Sequence, residues 1–205
     1  MFGLYQAEIS KAPTAGLLPK CGACKLDQGC KSPKMPVTGY GRKGILIITD
    51  APDSDDDQNG QLFVGESGQY LRKVLAENDV DLDRDCWKTS AIICAPPERE
   101  PTDDEIDHCR PSLFKAIREL QPRQIIPLGK PAITSLLAPL WREAVGGIEK
   151  WVGWKIPLQA HNAWVTPNYG LQDVRDAVDS REGPVVKVWF ERYLAQAVAL
   201  LGRPY

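Results

Sequence analysis

The stretch Gly44-Ile45-Leu46-Ile47-Ile48-Thr49-Asp50-Ala51-Pro52 decides the fold of this chain. Its aliphatic residues follow one another without polar alternation, which is typical of a strand buried on both faces of a parallel sheet. The residues that come next, 50–60, are polar and rich in aspartate, and they predict a loop at the carboxyl end of this strand. Because open α/β sheets bind their ligands at that end, we expect the functional site beside this loop.

Strand and helix patterns alternate along the rest of the chain. Apolar spacing predicts helices at 66–78, 102–120, 130–137 and 184–201, and strands at 87–93 and 124–128. Thr102, followed three residues later by Glu105, indicates a capping box at the start of the second helix. This alternation predicts an α/β fold with one domain over residues 1–205, in which helices cover both faces of a parallel sheet in three layers.

Composition and charge limit the class of protein. A hydrophobic content of 43% in 205 residues is enough to fill a core, which excludes a disordered chain. The 25 basic and 27 acidic side chains leave a net charge of −2, so any contact with nucleic acid must come from a local basic patch such as Lys31 to Lys43. No apolar run is long enough for a membrane span, and Glu8 and Pro13 interrupt the region that a signal peptide would need. We therefore expect a soluble, cytoplasmic protein that contacts no membrane. We also expect it to be a monomer.

Six cysteines are an unusual number for a chain expected in a reducing compartment. Cys21 and Cys24 form a C-x-x-C motif in a segment, about residues 19–35, without helical or strand periodicity, and Cys94 and Cys109 flank a proline-rich loop. A redox dithiol is disfavoured because the motif precedes the first strand. Four thiolates from two separated segments fit either a zinc ion or a [4Fe–4S] cluster, and their spacing alone does not choose between them.

Five stretches of the chain occur in an order known from one enzyme family. They are Cys21-x-x-Cys24; Ile45–Ile48 with Asp50-Ala51-Pro52; Asp57-Gln58-Asn59-Gly60-Gln61-Leu62-Phe63-Val64-Gly65-Glu66-Ser67-Gly68; Cys94-Ala95-Pro96-Pro97 with Pro101 to Cys109; and Ile125-Ile126-Pro127-Leu128-Gly129. In this order they resemble the motifs of the iron–sulfur uracil-DNA glycosylases, family 4 of the uracil-DNA glycosylase superfamily. The resemblance covers about residues 21–200.

The resemblance implies a four-stranded parallel sheet and a structural [4Fe–4S] cluster. The implied ligands of the cluster are Cys21, Cys24, Cys94 and Cys109. Cys30 is a competing ligand that the sequence does not exclude, whereas Cys86 is interpreted as a buried core thiol.

The implied base pocket departs from the family pattern at several positions. It comprises Ala51, Pro52, Asp53, Phe63, Ser90 and Gly170. Phe63 falls where the family stacks an aromatic ring on the flipped base, with core packing as the alternative. Ser90 replaces an Asn that reads the uracil edge, and Gly170 replaces the catalytic His.

Two loop carboxylates are the implied catalytic residues. Asp50 stands where the family has a Glu, and Asp56 falls where the family carries a carboxylate tied to water activation. The alternative for the run that contains Asp56 is a solvated acidic turn, because acidic runs usually are solvated.

Three functions fit these observations. The first is a DNA repair glycosylase that flips and excises uracil or a related modified base from single- or double-stranded DNA by hydrolysing its N-glycosidic bond. The second is a catalytically weakened or inactive iron–sulfur DNA-binding module in replication or repair. The third is an enzyme that acts on a small nucleoside or nucleotide.

Overall fold

A five-stranded sheet forms the centre of the computed structural model, which describes residues 21–141, 145–177 and 183–203. The strands are β1 (Ile45–Thr49), β2 (Cys86–Ser90), β3 (Gln124–Pro127), β4 (Ile156–Leu158) and β5 (Ala163–Val165). They lie in the order β2-β1-β3-β5-β4, and all neighbours are parallel except β4 and β5. The expected four-stranded sheet was therefore one strand short, because the three-residue edge strand β4 contains Pro157 and is too short to show periodicity.

Six helices accompany the sheet in the described parts of the chain. They are α1 (Ser54–Asn59), α2 (Glu66–Ala76), α3 (Asp103–Leu120), α4 (Lys130–Leu137), α5 (Leu171–Ala177) and α6 (Gly183–Ala199). The capping box predicted at the start of α3 is confirmed, since Thr102 accepts from the Glu105 N–H and the Glu105 carboxylate accepts from the Thr102 N–H.

Helix α1 corrects the expectation of a loop over residues 50–60. The Asp53 side chain caps this helix by accepting a 2.8 Å hydrogen bond from the Asp56 N–H, and Gly60 ends it in the left-handed conformation. Acidic side chains in the first turn stabilise the helix through their interaction with the positive end of its dipole. A six-residue helix without an apolar stripe carries only these capping signals, so periodicity could not reveal it.

Alternating strand residues pack into two separate cores, which gives the predicted three layers. Ile45, Ile47 and Ile126 face a core shared with α2 and α6, whereas Leu46 and Ile48 face a core shared with α3 and α4. Because β1 is buried on both faces, its sequence is an uninterrupted apolar run.

Two further expectations concern the chain as a whole. None of the helices in the described segments is long and apolar enough to cross a membrane. The extent of the single domain stays a prediction, and residues 1–20 lie outside the described residues.

Candidate functional site

The carboxyl edge of the sheet brings together residues that are far apart in sequence. Asp50 follows β1, Ser90 ends β2, Gly129 follows β3, and Gly170 lies beyond β5. The Gly129 N–H donates a 3.1 Å hydrogen bond to the carbonyl of Asn168, which holds the ends of β3 and β5 together. The site predicted beside the first strand is therefore built from all four parallel strands.

Asp50 reaches across this edge to helix α4. Its Oδ1 accepts a 2.9 Å hydrogen bond from the backbone N–H of Ala132 in the first turn of that helix. Its Oδ2 lies against Gly129, where the backbone has a φ of 96° and where a Cβ would overlap with the carboxyl group. Glycine at position 129 therefore allows both the left-handed turn and the close approach of Asp50.

Gly170 lies on the other side of the Asp50 carboxyl. A Cβ at this position would lie 3.3 Å from Asp50 Oδ2 and 3.0 Å from Asp173 Oδ2. The Gly170 N–H donates a 2.8 Å hydrogen bond to Asp173 Oδ2. At the position where the family pattern has its His, this chain therefore has two carboxyl groups packed around a residue without a side chain.

The environment of Asp50 favours its neutral form. Burial raises the pKa of its carboxyl to about 8, the hydrogen bond from Ala132 opposes that rise, and the nearby Asp173 and Glu100 carboxylates add to it. At neutral pH the group is consequently protonated for most of the time and can donate a hydrogen bond. The motifs included Gly129 without a role at the site, and they missed Ala132, Glu100 and Asp173, for which the sequence gave no signal.

Asp56 is buried beneath the turn that carries Phe63. Its side chain is almost fully enclosed, and Oδ1 accepts a 3.1 Å hydrogen bond from the Val64 N–H. Burial raises the pKa of Asp56 to about 6, against the effect of the hydrogen bond from Val64. These contacts exclude the alternative in which this part of the acidic run is a solvated turn.

The remaining pocket residues differ in their exposure. Ala51 is half-buried, Pro52 is buried and Asp53 is exposed. Phe63 is 3% exposed, has a φ of 64° and packs in the core beside α2. The Ser90 hydroxyl donates a 2.7 Å hydrogen bond to the carbonyl of Ile92 and is buried. The base-binding roles of these residues stay predictions.

Neither histidine of the chain is positioned to replace the missing one. His161 lies in the turn before β5, at the opposite end of that strand from Gly170. The centre of its ring lies 6.1 Å from the centre of the Phe114 ring. His108 is exposed on α3, where Nδ1 lies 2.6 Å from the carbonyl oxygen of Asp104.

The four predicted cluster ligands line one small pocket. Cys21, Cys24, Cys94 and Cys109 surround it, and the Lys34 N–H donates a 3.3 Å hydrogen bond to Cys94 Sγ. Burial raises the pKa of Cys94 to about 12 and that of Cys109 to about 11. Thiols with such high pKa values stay protonated at neutral pH, and binding a metal would deprotonate them, because cysteine binds metals as the thiolate.

Within the described residues, no three His, Cys, Asp or Glu side chains form a group that could hold a single metal ion. Cysteine thiolates hold both [4Fe–4S] clusters and structural zinc ions. The shared pocket therefore supplies the donor set of either kind of metal centre. Cys30 contacts Cys94 but does not line the pocket, and Cys86 is fully buried in the core, as predicted.

Asp57 connects the cysteine segment to the candidate site. Its carboxylate accepts hydrogen bonds from the backbone N–H groups of Lys31 (2.9 Å) and Ser32 (2.8 Å). The Ser32 hydroxyl in turn donates to the Asp57 carbonyl over 2.7 Å. Helix α1 therefore holds the chain that follows the C-x-x-C motif beside the loop that contains Asp50.

Comparison with known proteins places this geometry in a family. The profile of the Uracil DNA glycosylase superfamily matches residues 37–180. A type-4 uracil-DNA glycosylase of Saccharolobus solfataricus is 30% identical over 190 residues, covering 90% of this chain and 84% of the relative. Another from Pyrobaculum aerophilum is 33% identical over 129 residues, covering 62% of this chain and 65% of the relative.

A third relative, the type-4 uracil-DNA glycosylase of Sulfurisphaera tokodaii, is 35% identical over 112 residues, covering 54% of this chain and 50% of the relative. The chain thus spans less than two thirds of the Pyrobaculum and Sulfurisphaera proteins and most of the Saccharolobus one. The superfamily profile covers more than half of the chain, and the order of its strands brings the matched motifs to one edge of the sheet. The chain belongs to the uracil DNA glycosylase superfamily.

Proposed function

We propose that this chain is a DNA glycosylase that hydrolyses the N-glycosidic bond of uracil or a related modified base in DNA. Membership of the superfamily and the names of the type-4 relatives support the reaction class. The single observation that carries the proposal is the Asp50 carboxyl, which is desolvated and faces Gly170 at the carboxyl edge of the sheet.

Excision of a base requires a donor for the departing group. The bond between the sugar C1′ and the base nitrogen breaks, its electron pair goes to the base, and a donor stabilises the anion that forms. Gly170 supplies no such donor, but the Asp50 carboxyl lies beside it and is mostly neutral at pH 7. We assign Asp50 the role of hydrogen-bond donor to the departing base.

Water completes the reaction by adding to C1′ and giving up one proton. The departing base anion takes up a proton from solvent, so the products are the neutral base and an abasic site. Asp56 is the proposed partner of that water, and because its pKa lies near 6, its carboxyl is mainly ionised above neutral pH. The two aspartates would then differ in protonation at pH 7, as the acid and the base of an enzyme commonly do.

A [4Fe–4S] cluster on Cys21, Cys24, Cys94 and Cys109 is part of this proposal. Bound there, the cluster would crosslink the N-terminal segment to the loop between β2 and α3. The hydrogen bonds of Asp57 would transmit that restraint to the loop beside Asp50. DNA is the proposed partner because its bases are the substrate.

A non-catalytic DNA-binding module is the second candidate. It is favoured by the Ser90 hydroxyl, which donates to Ile92 and so has no proton to offer a base, and by the burial of Phe63. In this case the fold would bind DNA without releasing a base.

The two candidates are separated by measuring base release and DNA binding together. Purified protein is incubated with single-stranded and duplex oligonucleotides that contain one uracil, hypoxanthine or xanthine, and abasic sites are detected by alkaline cleavage. We expect cleavage at one of these bases, and a loss of about 10²–10³ in rate for Asp50→Ala. Tight binding without any abasic site would instead establish the module.

A further inference from the structure

A cavity of about 170 Å³ lies beside the candidate active site, and none of the proposed catalytic, base-binding or cluster-binding residues lines it. Its apolar wall consists of Leu171, Val174 and the ring of Tyr70, and its charged lining consists of Arg175, Lys187 and Glu66. Sites for whole small molecules usually measure about 300–1,000 Å³, so this cavity suits one part of a larger ligand.

The cavity holds two cations and one carboxylate, that of Glu66, so the charged side chains of its lining carry an excess of positive charge. Arg175 contacts Gln172, and the Lys187 Nζ lies 5.5 Å from the centre of the Tyr70 ring, but neither forms an ion pair within the described residues. In the basic segment predicted to face DNA, by contrast, Lys34 pairs with Asp27 and Lys43 pairs with Asp85. The cavity therefore offers positive charge that the predicted basic patch has partly lost.

The cavity adjoins the candidate active site along two segments of the chain. Leu171 directly follows Gly170, and Glu66 begins α2 just after the turn that contains Phe63. The N-cap of α2 is Gly65, which has no side chain to accept from the first backbone N–H groups of the helix. An anionic strand that enters the active site would thus pass a cavity with an apolar wall and a cationic lining.

We propose that this cavity is a subsite for the nucleotide next to the one whose base is excised. The phosphate of this neighbouring nucleotide contacts Lys187 and Arg175, and its base packs against Leu171, Val174 and Tyr70. The identity of the ligand as DNA rests on the proposed function. Stacking on aromatic side chains together with backbone neutralisation is the general way in which proteins hold unpaired strands.

Salt dependence of binding tests the phosphate contact. Binding of a fluorescent single-stranded oligonucleotide is measured by anisotropy over a range of salt concentrations, for the wild type, Lys187→Gln and Arg175→Gln. Loss of one contact should reduce the slope of log K against log salt by about 0.7 and weaken binding about fourfold at 0.15 M salt. Lys73→Gln and Arg118→Gln, which remove exposed cations from the last turns of α2 and α3, should change neither quantity.

A substitution of Glu66 should strengthen DNA binding, whereas the substitutions of the two cations should weaken it. Because the Glu66 carboxylate shares the cavity with the two cations, Glu66→Gln should tighten binding of the same oligonucleotide about twofold to fivefold. A general loss of folding would weaken binding in every variant, so a gain in this one cannot arise from misfolding.

Changes in the DNA locate the subsite. A neutral methylphosphonate is placed at each position on either side of the target nucleotide, and an abasic spacer replaces each neighbouring base. One methylphosphonate should weaken wild-type binding. It should weaken binding less in Lys187→Gln, which keeps only the Arg175 contact, and should have no further effect on the double variant Lys187→Gln/Arg175→Gln, because the two changes then remove the same contacts. The spacer at the neighbouring position should weaken binding as well.

The outcomes separate this subsite from the proposed function. Normal base release together with unchanged salt slopes in both cation variants would overturn the subsite and leave the glycosylase intact. Absence of base release together with reduced slopes would support the subsite in a protein that only binds DNA. Equal effects of Lys73→Gln and Lys187→Gln would also overturn it, because the contact would then be unspecific.

Discussion

Asp50 Oδ2 lies 3.3 Å from the position that a Cβ of Gly170 would occupy. The side chain that reaches this point of the pocket therefore comes from the end of β1 and not from the segment after β5. Glycine at position 170 supplies no side-chain donor, and it leaves room for a carboxyl group whose pKa favours the protonated state. A neutral carboxyl group can donate a hydrogen bond at this point of the pocket.

Gly129 is predicted to be indispensable to this arrangement. Gly129→Ala forces a Cβ into the Asp50 carboxyl at a φ of 96°, so we expect the free energy of unfolding to fall by about 2–4 kcal/mol. Urea unfolding followed by circular dichroism measures it. The double variant Gly129→Ala/Asp50→Ala should recover part of the loss, because it removes the overlap and keeps the backbone strain; an unchanged loss would contradict the contact.

A second prediction concerns the buried Lys88 on β2. Its side chain is 1% exposed and pairs with Asp83, which also pairs with Arg72. Asp83→Ala leaves the buried cation without its partner and should lower the free energy of unfolding by about 3 kcal/mol. Lys88→Met, which removes the charge itself, should cost less. Equal losses in the two variants would argue against an uncompensated charge.

The same pair predicts a loss of stability in acid. Burial tends to raise the pKa of Asp83, but the bonds from Arg72 and Lys88 outweigh that effect and lower it below its usual value. Its contribution to stability is therefore complete above pH 4 and disappears as the pH falls through the lowered pKa. Thermal unfolding between pH 2 and 7 should show a steeper acid decline in the wild type than in Asp83→Asn.

Individual cysteine variants test the proposed cluster. Serine at position 21, 24, 94 or 109 should lower the iron and sulfide content of anaerobically purified protein and its broad visible absorbance. Cys30→Ser and Cys86→Ser are matched controls that should retain both, since Cys30 lies outside the pocket and Cys86 is in the core. Loss of iron in Cys30→Ser with retention in one of the other four would change the ligand set, and zinc in a colourless protein would replace the cluster altogether.

The uninterrupted apolar run of β1 and the alternation of strand and helix patterns after it were sufficient to predict the layers of the fold. Helices α1 and α5 and strand β4 were not predicted, because they are too short to show a clear periodic pattern and depend on caps and on contacts with distant residues. At the site, the motifs identified Asp50 from its place after the strand. They could not show the hydrogen bond from Ala132, the proximity of Asp173 or the burial of Asp56, because these arise only when four strands end at one edge.

The pH dependence of base release by Asp50→Asn tests the central claim most directly. The amide can still accept from Ala132 and can donate to the departing base, but it does not titrate. We expect wild-type base release to decline above about pH 8, where the Asp50 carboxyl ionises, and the rate of Asp50→Asn to remain within about tenfold at pH 7 and lose that decline. An Asp50→Asn rate as low as that of Asp50→Ala would contradict the account, because it would mean that Asp50 acts as an ionised base.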